Sequence, residues 1–537
     1  MDDYPLIEDH GLIGDLQTAA LVTTDATIDW FCCPRFDSPS VFGALLDRGK
    51  GGHFSVRPAA GTYTTKQLYH PDTAVLVTRF MTEAGAGEVV DFMPVTGTTA
   101  TDRHRLVRML RCVRGSMTFE GEIAPRFDYG RKPHQLHLTE HGAVFTSEGL
   151  DLALHAVREP EDERLLNVLS ADENDVRFSL TLRAGQQRGL IMESAPGGPP
   201  QEVRAEEFDR LFHETVRFWR TWLGQSTYSG RWREAVERSA VTLKLMTYAP
   251  TGALVAAPTA GLPEQLGGER NWGIGNGAAT QLQLDIYGEA LDSIYFAHEH
   301  GMHLDHGGWK ALHTLLDWLV DHWDQPGEGL WETRGGRKDF TYGRVMSWVA
   351  FDRALRMAHD DGRPAAGGRW VEARDAIYRQ VFDRGWDPTK QAFVQHYGDD
   401  VLDSALLRMP TVGFLTPDDP MWKTSLDAME RELVSDSLVY RYNPEASPDG
   451  LRGSEGTFSL CTFMYVDALA RAGRTDMARL VLEKMLTYAN HLGLYSEEID
   501  LTGRQLGNFP QAFTHLALID AAITLDRILR EERRPEV

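Results

Sequence analysis

The hydrophobic pattern of this chain changes its period near residue 200, and that change limits the folds available to it. From residue 11 to about residue 200, apolar and polar residues alternate, and turn residues interrupt the alternation about every eight to twelve positions. Five segments show the pattern: TAALVTTDATIDWF, AVLVTRFMTEAGAGEVVDFMPV, HRLVRMLRCVRGSMTFEGEI, AVFTSEGLDLALHAV and VRFSLTLRAG. Because no helical crossover separates them, we expect an antiparallel β-sandwich rather than a parallel sheet.

The Pro- and Gly-rich stretch SAPGGPPQ ends this pattern, and the rest of the chain is helical almost to its end. We predict a β-sandwich domain over 1–200, a linker helix within 201–227, and a domain of about ten helical segments over 228–537. Segments such as FSLCTFMYVDALA and AFTHLALIDAAITL are apolar on more than one side, which indicates burial between layers of helices. Since the helical hairpins share no sequence period, a closed ring is favoured over a solenoid.

Size and charge argue against several classes of protein. A chain of 537 residues is too long for one ordinary core, and a net charge of −23 disfavours nucleic acid and anionic membranes as partners. No apolar run is long enough to span a bilayer, and the start MDDYPLIEDHGL lacks the features of a signal peptide. The four cysteines, Cys32, Cys33, Cys112 and Cys461, form no CxxC or disulfide-rich spacing. We therefore expect a cytoplasmic protein with buried thiols.

A Gly-rich loop at 327–344, GEGLWETRGGRKDFTYGR, holds the first candidate for chemistry. Glu332 follows Trp331 there, and a carboxyl packed against an indole is a candidate general acid with a raised pKa. For Glu332 taken alone, a solvated charge or a helix cap is the more usual role. A second acidic loop, LYSEEID at 494–500, stands at the same relative place, after a helix in a later hairpin.

Two such carboxylates suit the hydrolysis of a glycosidic bond with inversion. That reaction needs an acid for the leaving oxygen and a base that activates water on the opposite ring face, with the carboxyls about 6.5–9.5 Å apart. In LYSEEID the base is either Glu497 or Glu498, and spacing alone does not choose between them.

A third loop, VYRYNPEASPDGLRGSEGTF at 439–458, carries Arg441, Tyr442 and Glu455 before an apolar helix. A guanidinium donates to sugar hydroxyls and an aromatic ring covers the apolar face of a sugar, so the loop is a candidate sugar site. An ordinary exposed loop is the alternative.

Two other patterns have plainer explanations. His298, His300, His303 and His306 stand close to Asp305 in the sequence, but the HExxH spacing is absent and they straddle a predicted helix end at Gly301. We therefore interpret them as polar residues of helix termini and expect no metal. GIGNGAA at 273–279 follows no strand and lacks the GxGxxG spacing, so we expect neither a nucleotide site nor any other cofactor.

Motifs along nearly the whole chain resemble the glycoside hydrolases of family 15, which include glucoamylases, glucodextranases and trehalases. They are IEDHGLIGDLQTAALV, IDWFCCPRFDSPSVFGALLD, LWETRGG, WVAFDRAL, EGTFSLC, LYSEEID and LGNFPQAFTHLALI. The resemblance implies a β-sandwich followed by an (α/α)6 barrel, and inverting hydrolysis of α-glucosidic bonds. The N-terminus and LGNFPQAF look most like trehalase-type members, so the implied substrate is trehalose or an α-glucan oligosaccharide.

The resemblance also implies roles for individual residues. Glu332 is the implied acid and Glu497 the implied base, with Glu498 at a neighbouring position. The residues that the resemblance and the loop chemistry place at the sugar are Trp331, Arg270, Trp272, Arg441, Tyr442, Glu455 and Glu498.

The chain departs from the family after LPEQLGGERNW, where the family continues into the sugar-gripping motif WLRD. Here Arg270, Asn271 and Trp272 are followed at once by GIGNGAATQLQLDIYGE, and WLRD is missing. Ten predicted helices, where the barrel needs twelve, indicate that a deletion between about 248 and 276 removes the second and third. A helix that buries five large apolar side chains contributes on the order of 10 kcal/mol before entropy is counted.

The deletion has consequences for both packing and function. The helices beside it should expose apolar faces unless they close over the gap or a partner covers them, and a second copy of the chain is one such partner. The alternative function is a catalytically impaired relative that retains at most sugar binding. A phosphorylase is less favoured, because it needs a phosphate pocket where this chain keeps an acidic pair.

Overall fold

The computed structural model describes residues 4–158, 169–172, 174–264, 278–332, 335–365, 367–443 and 456–532. The chain divides into two compact units. The first unit comprises Met1–Gly273 with Leu486–Ile519, and the second unit comprises Ile274–Met485 with Asp520–Val537. The three-part division expected at residues 200 and 227 remains a prediction.

Among its described residues, the first unit begins with a 3₁₀ helix, Ile7–Asp9, and sixteen strands. The strands are β1 His10–Gly14, β2 Ala19–Thr23, β3 Ile28–Cys32, β4 Ser40–Phe42, β5 His53–Pro58, β6 Thr64–Tyr69, β7 Leu76–Met81, β8 Gly85–Phe92, β9 Arg105–Ala124, β10 His134–Thr139, β11 Gly142–Ser147, β12 Leu150–Arg158, β13 Leu169–Asp172, β14 Asp175–Arg183, β15 Gln187–Ser194 and β16 Val203–Arg204. Their pairings are antiparallel, except that β16 runs parallel to β12. The expected antiparallel β-structure is therefore confirmed.

The long strand β9 joins two sheets. Its first half pairs with β8 and β15, and its second half pairs with β5 and β14. Apolar side chains from both sheets, for example Leu110 beside β15 and Phe119 beside β5, belong to one buried core. Alternation of apolar and polar residues produces this arrangement, because successive side chains of a strand point to opposite faces.

The helices are α1 Phe127–Gly130, α2 Ala205–Leu223, α3 Arg233–Leu245, α4 Asp285–Glu299, α5 His306–Val320, α6 Thr341–Asp360, α7 Gly367–Arg384, α8 Pro420–Leu433, α9 Ser459–Arg471, α10 Thr475–Leu486 and α11 Ala512–Glu531. Short strand pairs lie between them: β17 Thr247–Tyr248 with β18 Ala253–Leu254, β19 Trp386–Asp387 with β20 Ala392–Phe393, β21 Val434–Ser435 with β22 Leu438–Val439, and β24 Glu498–Ile499 with β25 Gln505–Leu506; β23 is Thr457–Phe458. The predicted linker helix is α2, which buries Phe208, Leu211 and Trp219 along one side.

The ten helical segments predicted after residue 228 correspond to nine α-helices, α3 to α11, and one 3₁₀ helix, Ser404–Arg408, within the described ranges. Helix α9 is buried along almost its whole length, as its continuous apolar pattern predicts. Helix α6 is buried from Thr341 to Ala354, and its last turn is partly exposed. Helix α4 passes very close to α6: a Cβ on Gly288 would lie 2.1 Å from the carbonyl oxygen of Met346. No described helix is both long and apolar enough to cross a membrane.

Exposed apolar side chains appear where the proposed deletion predicts them. On α4, the first helix after residue 276, Ile286 is 51% exposed and Phe296 is 64% exposed. Helix α11 was expected to be buried between layers, and that expectation is wrong for one side: Phe513 and Leu516 are 53% and 44% exposed. An apolar stripe of this kind is typical of a helix whose packing neighbour is missing. The segment 265–277, at the expected gap, lies outside the described residues.

Candidate active site

The Trp331–Glu332 segment sits at the tip of a loop that is closed at its base. The amide and carbonyl groups of Gly327 and Lys338 form two hydrogen bonds of 3.0 and 2.9 Å with each other. Between them, the Glu332 amide donates to the carbonyl of Gly329 in a tight turn. Glu332 has φ +54°, a left-handed conformation that is uncommon for a residue with a side chain and that concentrates at functional sites.

The Glu332 side chain is exposed to solvent. Its Oε1 atom lies 3.4 Å from Nε2 of Gln283, and its carbonyl oxygen lies 3.4 Å from Nε2 of Gln281. Both glutamines precede α4 and belong to a segment that is tied to the same loop, because Glu328 accepts a 2.7 Å bond from the amide of Leu282. The carboxylate is thus open to a ligand while the backbone beneath it is held.

Trp331 is half-buried and turns its indole Nε1 toward Asp403, to which it donates a 2.8 Å hydrogen bond. Asp403 is buried and also accepts from the amide of Ala405 and from Nε2 of Gln395. Burial raises the pKa of the Asp403 carboxyl, although these three donors oppose the rise. The indole is therefore held by a buried acid, and the Glu332 carboxyl expected to be buried against it is exposed instead.

Arg441 completes an aromatic cluster around Trp331. Its guanidinium carbon lies 4.9 Å from the centre of the Phe458 ring and 5.8 Å from the ring centres of Trp331 and Tyr442. Its carbonyl oxygen accepts two 2.9 Å bonds from Ser404. Tyr442 is only 1% exposed, so its ring packs near Arg441 and does not face solvent.

The start of α4 carries a partly buried polar cluster. The hydroxyl of Tyr342 donates to Glu289, which also forms an ion pair with Arg408 at 3.2 Å. One turn earlier, burial raises the pKa of the Asp285 carboxyl to about 7, and the negative charges of Glu289 and Glu332 add to the rise. Within the described part of the chain, Oδ1 of Asp285 has no hydrogen-bond partner.

The second acidic loop, in the first unit, holds Glu497 at a bend directly before β24. Oε2 of Glu497 lies 3.2 Å from the amide nitrogen of Asn508 and 3.3 Å from its side-chain Nδ2. The Glu497 amide in turn donates to the Asn508 carbonyl at 3.1 Å. Two donors on one oxygen favour the ionised form, which is the form that a base requires.

Asn508 is itself held by hydrogen bonds, and Gly507 leaves space for the Glu497 side chain. Oδ1 of Asn508 accepts from the hydroxyl of Thr259 at 3.2 Å and from the amide of Leu262 at 3.4 Å. Gly507 has φ +72°, and a Cβ there would lie 2.8 Å from Cβ and 2.9 Å from Oε2 of Glu497. Only glycine leaves room for the carboxylate at this position.

Glu498 has a different environment from Glu497. It is fully buried, and its backbone pairs with Leu506 in the β24–β25 hairpin. Its carbonyl oxygen accepts from the hydroxyl of Ser496. Of the two glutamates that spacing could not separate, Glu497 is the more accessible.

Three sequence candidates, Arg270, Trp272 and Glu455, lie outside the described residues. The sequence reading missed Asp403, Asn508 and Gly507, which hold Trp331 and Glu497 in place. Asn508 and Gly507 stand in the quoted motif LGNFPQAF, so the motif contained a signal for them. Asp403 had no comparable signal, because its importance arises only from contact with a residue 72 positions away.

Comparison with known proteins gives the family of the chain. Residues 267–523 match the model of glycosyl hydrolases family 15, and residues 2–157 match the trehalase-like N-terminal region. The chain is 32% identical to the trehalase of Mycolicibacterium smegmatis, covering 98% of this chain and 92% of the relative. It is 31% identical to the trehalase of Thermoplasma volcanium, covering 98% and 95%.

The alignment with the Mycolicibacterium relative runs over 627 positions although the chain has 537 residues, so the relative carries residues that this chain lacks. A crystal structure of a bacterial glucoamylase complexed with acarbose superposes with a TM-score of 0.69 at 11% identity, covering 98% of this chain and 96% of that chain. This likeness shows the fold: an N-terminal β-sandwich followed by an (α/α)6-type barrel. The chain belongs to glycosyl hydrolase family 15.

Proposed function

We propose that the protein hydrolyses the α-glucosidic bond of trehalose with inversion, with Glu332 as the general acid and Glu497 as the general base. The observation that carries the proposal is the contrast between the two carboxylates. Glu497 is held by two donors from Asn508 that favour its ionised form, whereas the exposed Glu332 carboxylate has one weak amide contact among the described residues. Pairs of carboxyls in contrasting environments are typical of acid and base assignments.

Glu332 gives its proton to the oxygen between the two glucose rings as the bond to C1 breaks. Glu497 takes a proton from water, whose oxygen bonds to C1 from the opposite face. One ring is therefore released as β-glucose and the other keeps its α configuration, and the two carboxyls must exchange protons with solvent before the next turnover.

The loop cluster around Glu332 offers further groups that suit a sugar. Trp331 offers an aromatic surface and Arg441 offers donors for sugar hydroxyls on the same loop cluster. Arg270, Trp272, Tyr442, Glu455 and Glu498 remain proposed contributors to sugar binding.

Trehalose is proposed as the substrate because two relatives with near-complete coverage are trehalases. An α-glucan oligosaccharide is the second candidate. We also propose a cytoplasmic location, supported by four cysteines that are all buried free thiols.

A second candidate is a catalytically impaired relative that retains at most sugar binding. It is favoured by the missing WLRD motif, by the longer length of the relatives and by the exposed side of α11. Misplacement of a sugar by about 1 Å can cost roughly a hundredfold in rate, so a reduced site can bind and still fail to turn over.

Proton NMR of the first turnovers distinguishes these candidates. Trehalose, maltose and isomaltose would each be incubated with the protein and with a Glu332→Gln control, and the anomeric signals followed before mutarotation. Equal initial amounts of α- and β-glucose from trehalose are expected for inversion, whereas a retaining enzyme would release α-glucose alone. Turnover no higher than in the control would overturn the catalytic proposal, and calorimetry with trehalose would then decide whether binding remains.

A further inference from the structure

The ends of α4 and α6 bring together two histidines and an aspartate that are distant in the sequence. Nδ1 of His303 lies 3.1 Å from Nδ1 of His298 and 3.3 Å from Oδ1 of Asp361. One ligand atom from each residue lies within 4.8 Å of the other two. From the sequence the histidines are interpreted as helix-terminal polar residues, because the HExxH spacing is absent and they straddle a helix end at Gly301. Asp361 is more than fifty positions away and carried no signal.

The two short separations are compatible with a metal centre. With metal–ligand distances of about 2.0–2.2 Å, tetrahedral ligands lie about 3.4 Å apart. Without a cation, Nδ1 of His303 has at most one proton to share between His298 and Asp361, so one close contact joins two lone pairs. A divalent cation between the three atoms would satisfy all of them.

Neighbouring groups orient the three side chains. Arg363 donates at 2.7 Å to Oδ2 of Asp361, which leaves Oδ1 for the histidines. The guanidinium of Arg363 is itself held by the carbonyl of Leu304 and lies 5.3 Å from the centre of the Trp309 ring. His298 is 9% exposed, and its ring plane is 86° from that of His303. Outer contacts that fix ligand orientation in this way are typical of metal sites.

We propose that His298, His303 and Asp361 bind one Zn²⁺ ion, with water as the fourth ligand. Two imidazoles and one carboxylate suit Zn²⁺ and other borderline cations, and an all-oxygen site would suit Mg²⁺ or Ca²⁺ instead. The ion joins the C-terminal end of α4 to the C-terminal end of α6. It lies at the opposite end of α4 from Asp285, about 20 Å along the helix by its rise per residue, so it is separate from the Glu332 loop.

The carboxylate of Asp360 also favours a cation at this site. Its Oδ2 lies 3.9 Å from Nε2 of His298. After a small rotation it can accept a hydrogen bond from that N–H when Nδ1 binds the metal. With Asp361 it supplies two negative charges, against the one positive charge of Arg363.

Zinc binding to the full chain, stripped with EDTA and desalted, tests the proposal by isothermal titration calorimetry. The His303→Ala variant is the main probe, because its side chain is 56% exposed and its loss leaves the core intact. His300→Ala is the matched control: His300 is exposed on the same stretch, but its Nδ1 contacts the carbonyl of Phe296 in its own helix. Asp361→Asn is the second probe.

We expect the wild type to bind about one Zn²⁺ per chain. The dissociation constant should rise at least on the order of tenfold in His303→Ala and in Asp361→Asn. It should not change in His300→Ala. The wild type and the His300→Ala control should also gain thermal stability with Zn²⁺, and His303→Ala should not. Absence of stoichiometric binding, or binding that survives His303→Ala, would overturn the proposal.

Discussion

Nε1 of Trp331 donates a 2.8 Å hydrogen bond to Oδ1 of the buried Asp403. This bond connects the residue next to Glu332 to the start of the 3₁₀ helix Ser404–Arg408, which Asp403 also caps through the amide of Ala405. The position of the proposed acid therefore depends on a carboxylate that does not itself reach the exposed loop tip.

Asp403→Ala should lower both stability and activity. The substitution leaves the indole of Trp331, the amide of Ala405 and the side chain of Gln395 without their acceptor, and each unsatisfied buried donor costs about 1–3 kcal/mol. Asp403→Asn keeps one acceptor oxygen and should lie between the wild type and the alanine variant. Thermal unfolding and kcat for trehalose are the measurements, with exposed Asp400→Asn as the control. An unchanged kcat in Asp403→Ala would show that Trp331 needs no anchor.

Glu497→Gln and Glu498→Gln should differ in the size of their kcat loss and in their response to azide. Loss of a general base costs about 10²–10⁴-fold in kcat, so we expect a loss of that size in Glu497→Gln and a smaller one in Glu498→Gln. Azide needs no deprotonation, so it should restore cleavage in the Glu497 variant alone. Rates with and without azide are the measurement, and rescue confined to Glu498→Gln would move the base to that residue.

Gly507→Ala should impair activity beyond its effect on stability. A Cβ at this position would lie 2.8–2.9 Å from atoms of Glu497, so the proposed base has to move. Gly503→Ala is the control, because Gly503 also has a positive φ of +86° but has its nearest neighbours in Tyr488. Both variants should lose about 1–2 kcal/mol of stability to backbone strain, and only Gly507→Ala should lose kcat at least on the order of tenfold. Equal kcat losses in the two variants would contradict this reading.

Asp285→Asn should change how stability depends on pH. Burial raises the pKa of this carboxyl to about 7, far above the value of an unfolded Asp. Between about pH 4 and pH 7 the unfolded chain has released this proton and the folded chain retains it, so wild-type stability falls as pH rises. The Asn variant lacks this dependence and should gain stability relative to wild type across that range, by about 1.4 kcal/mol per pH unit at most.

Urea unfolding at pH 5 and pH 8 measures the effect, with the exposed Asp383→Asn as the control. A difference between Asp285→Asn and wild type that is the same at both pH values would show that Asp285 titrates normally.

The exposed side of α11 should tolerate polar residues if water covers it in solution. Phe513→Ser with Leu516→Ser should change stability by roughly 0.5 kcal/mol or less per site, whereas Leu518→Ala, at a buried position of the same helix, should cost about 2–5 kcal/mol. Unfolding and light scattering are the measurements. A large destabilisation of the double variant, with a fall in molecular mass, would mean that a second copy of the chain covers this face.

The local pattern of apolar and polar residues was enough to predict most of the architecture. Alternating residues in the first 200 positions specified antiparallel strands, and the continuous apolar pattern around Cys461 specified the buried helix α9. Both predictions are correct because the spacing of apolar residues determines whether one face or all faces of an element are buried. The unburied side of α11 could not be inferred from its own residues, since exposure depends on whether a neighbouring helix is present.

The chemistry divides in the same way. The sequence by itself determined that acidic residues stand in loops after helices, with Glu332 beside Trp331 and Glu497 beside Glu498. Only the tertiary structure decided that Asp403 holds Trp331, that Asn508 holds Glu497, and that Asp361 meets His298 and His303. Side-chain contacts between distant segments follow from the packing of whole helices and loops, and no local spacing encodes them.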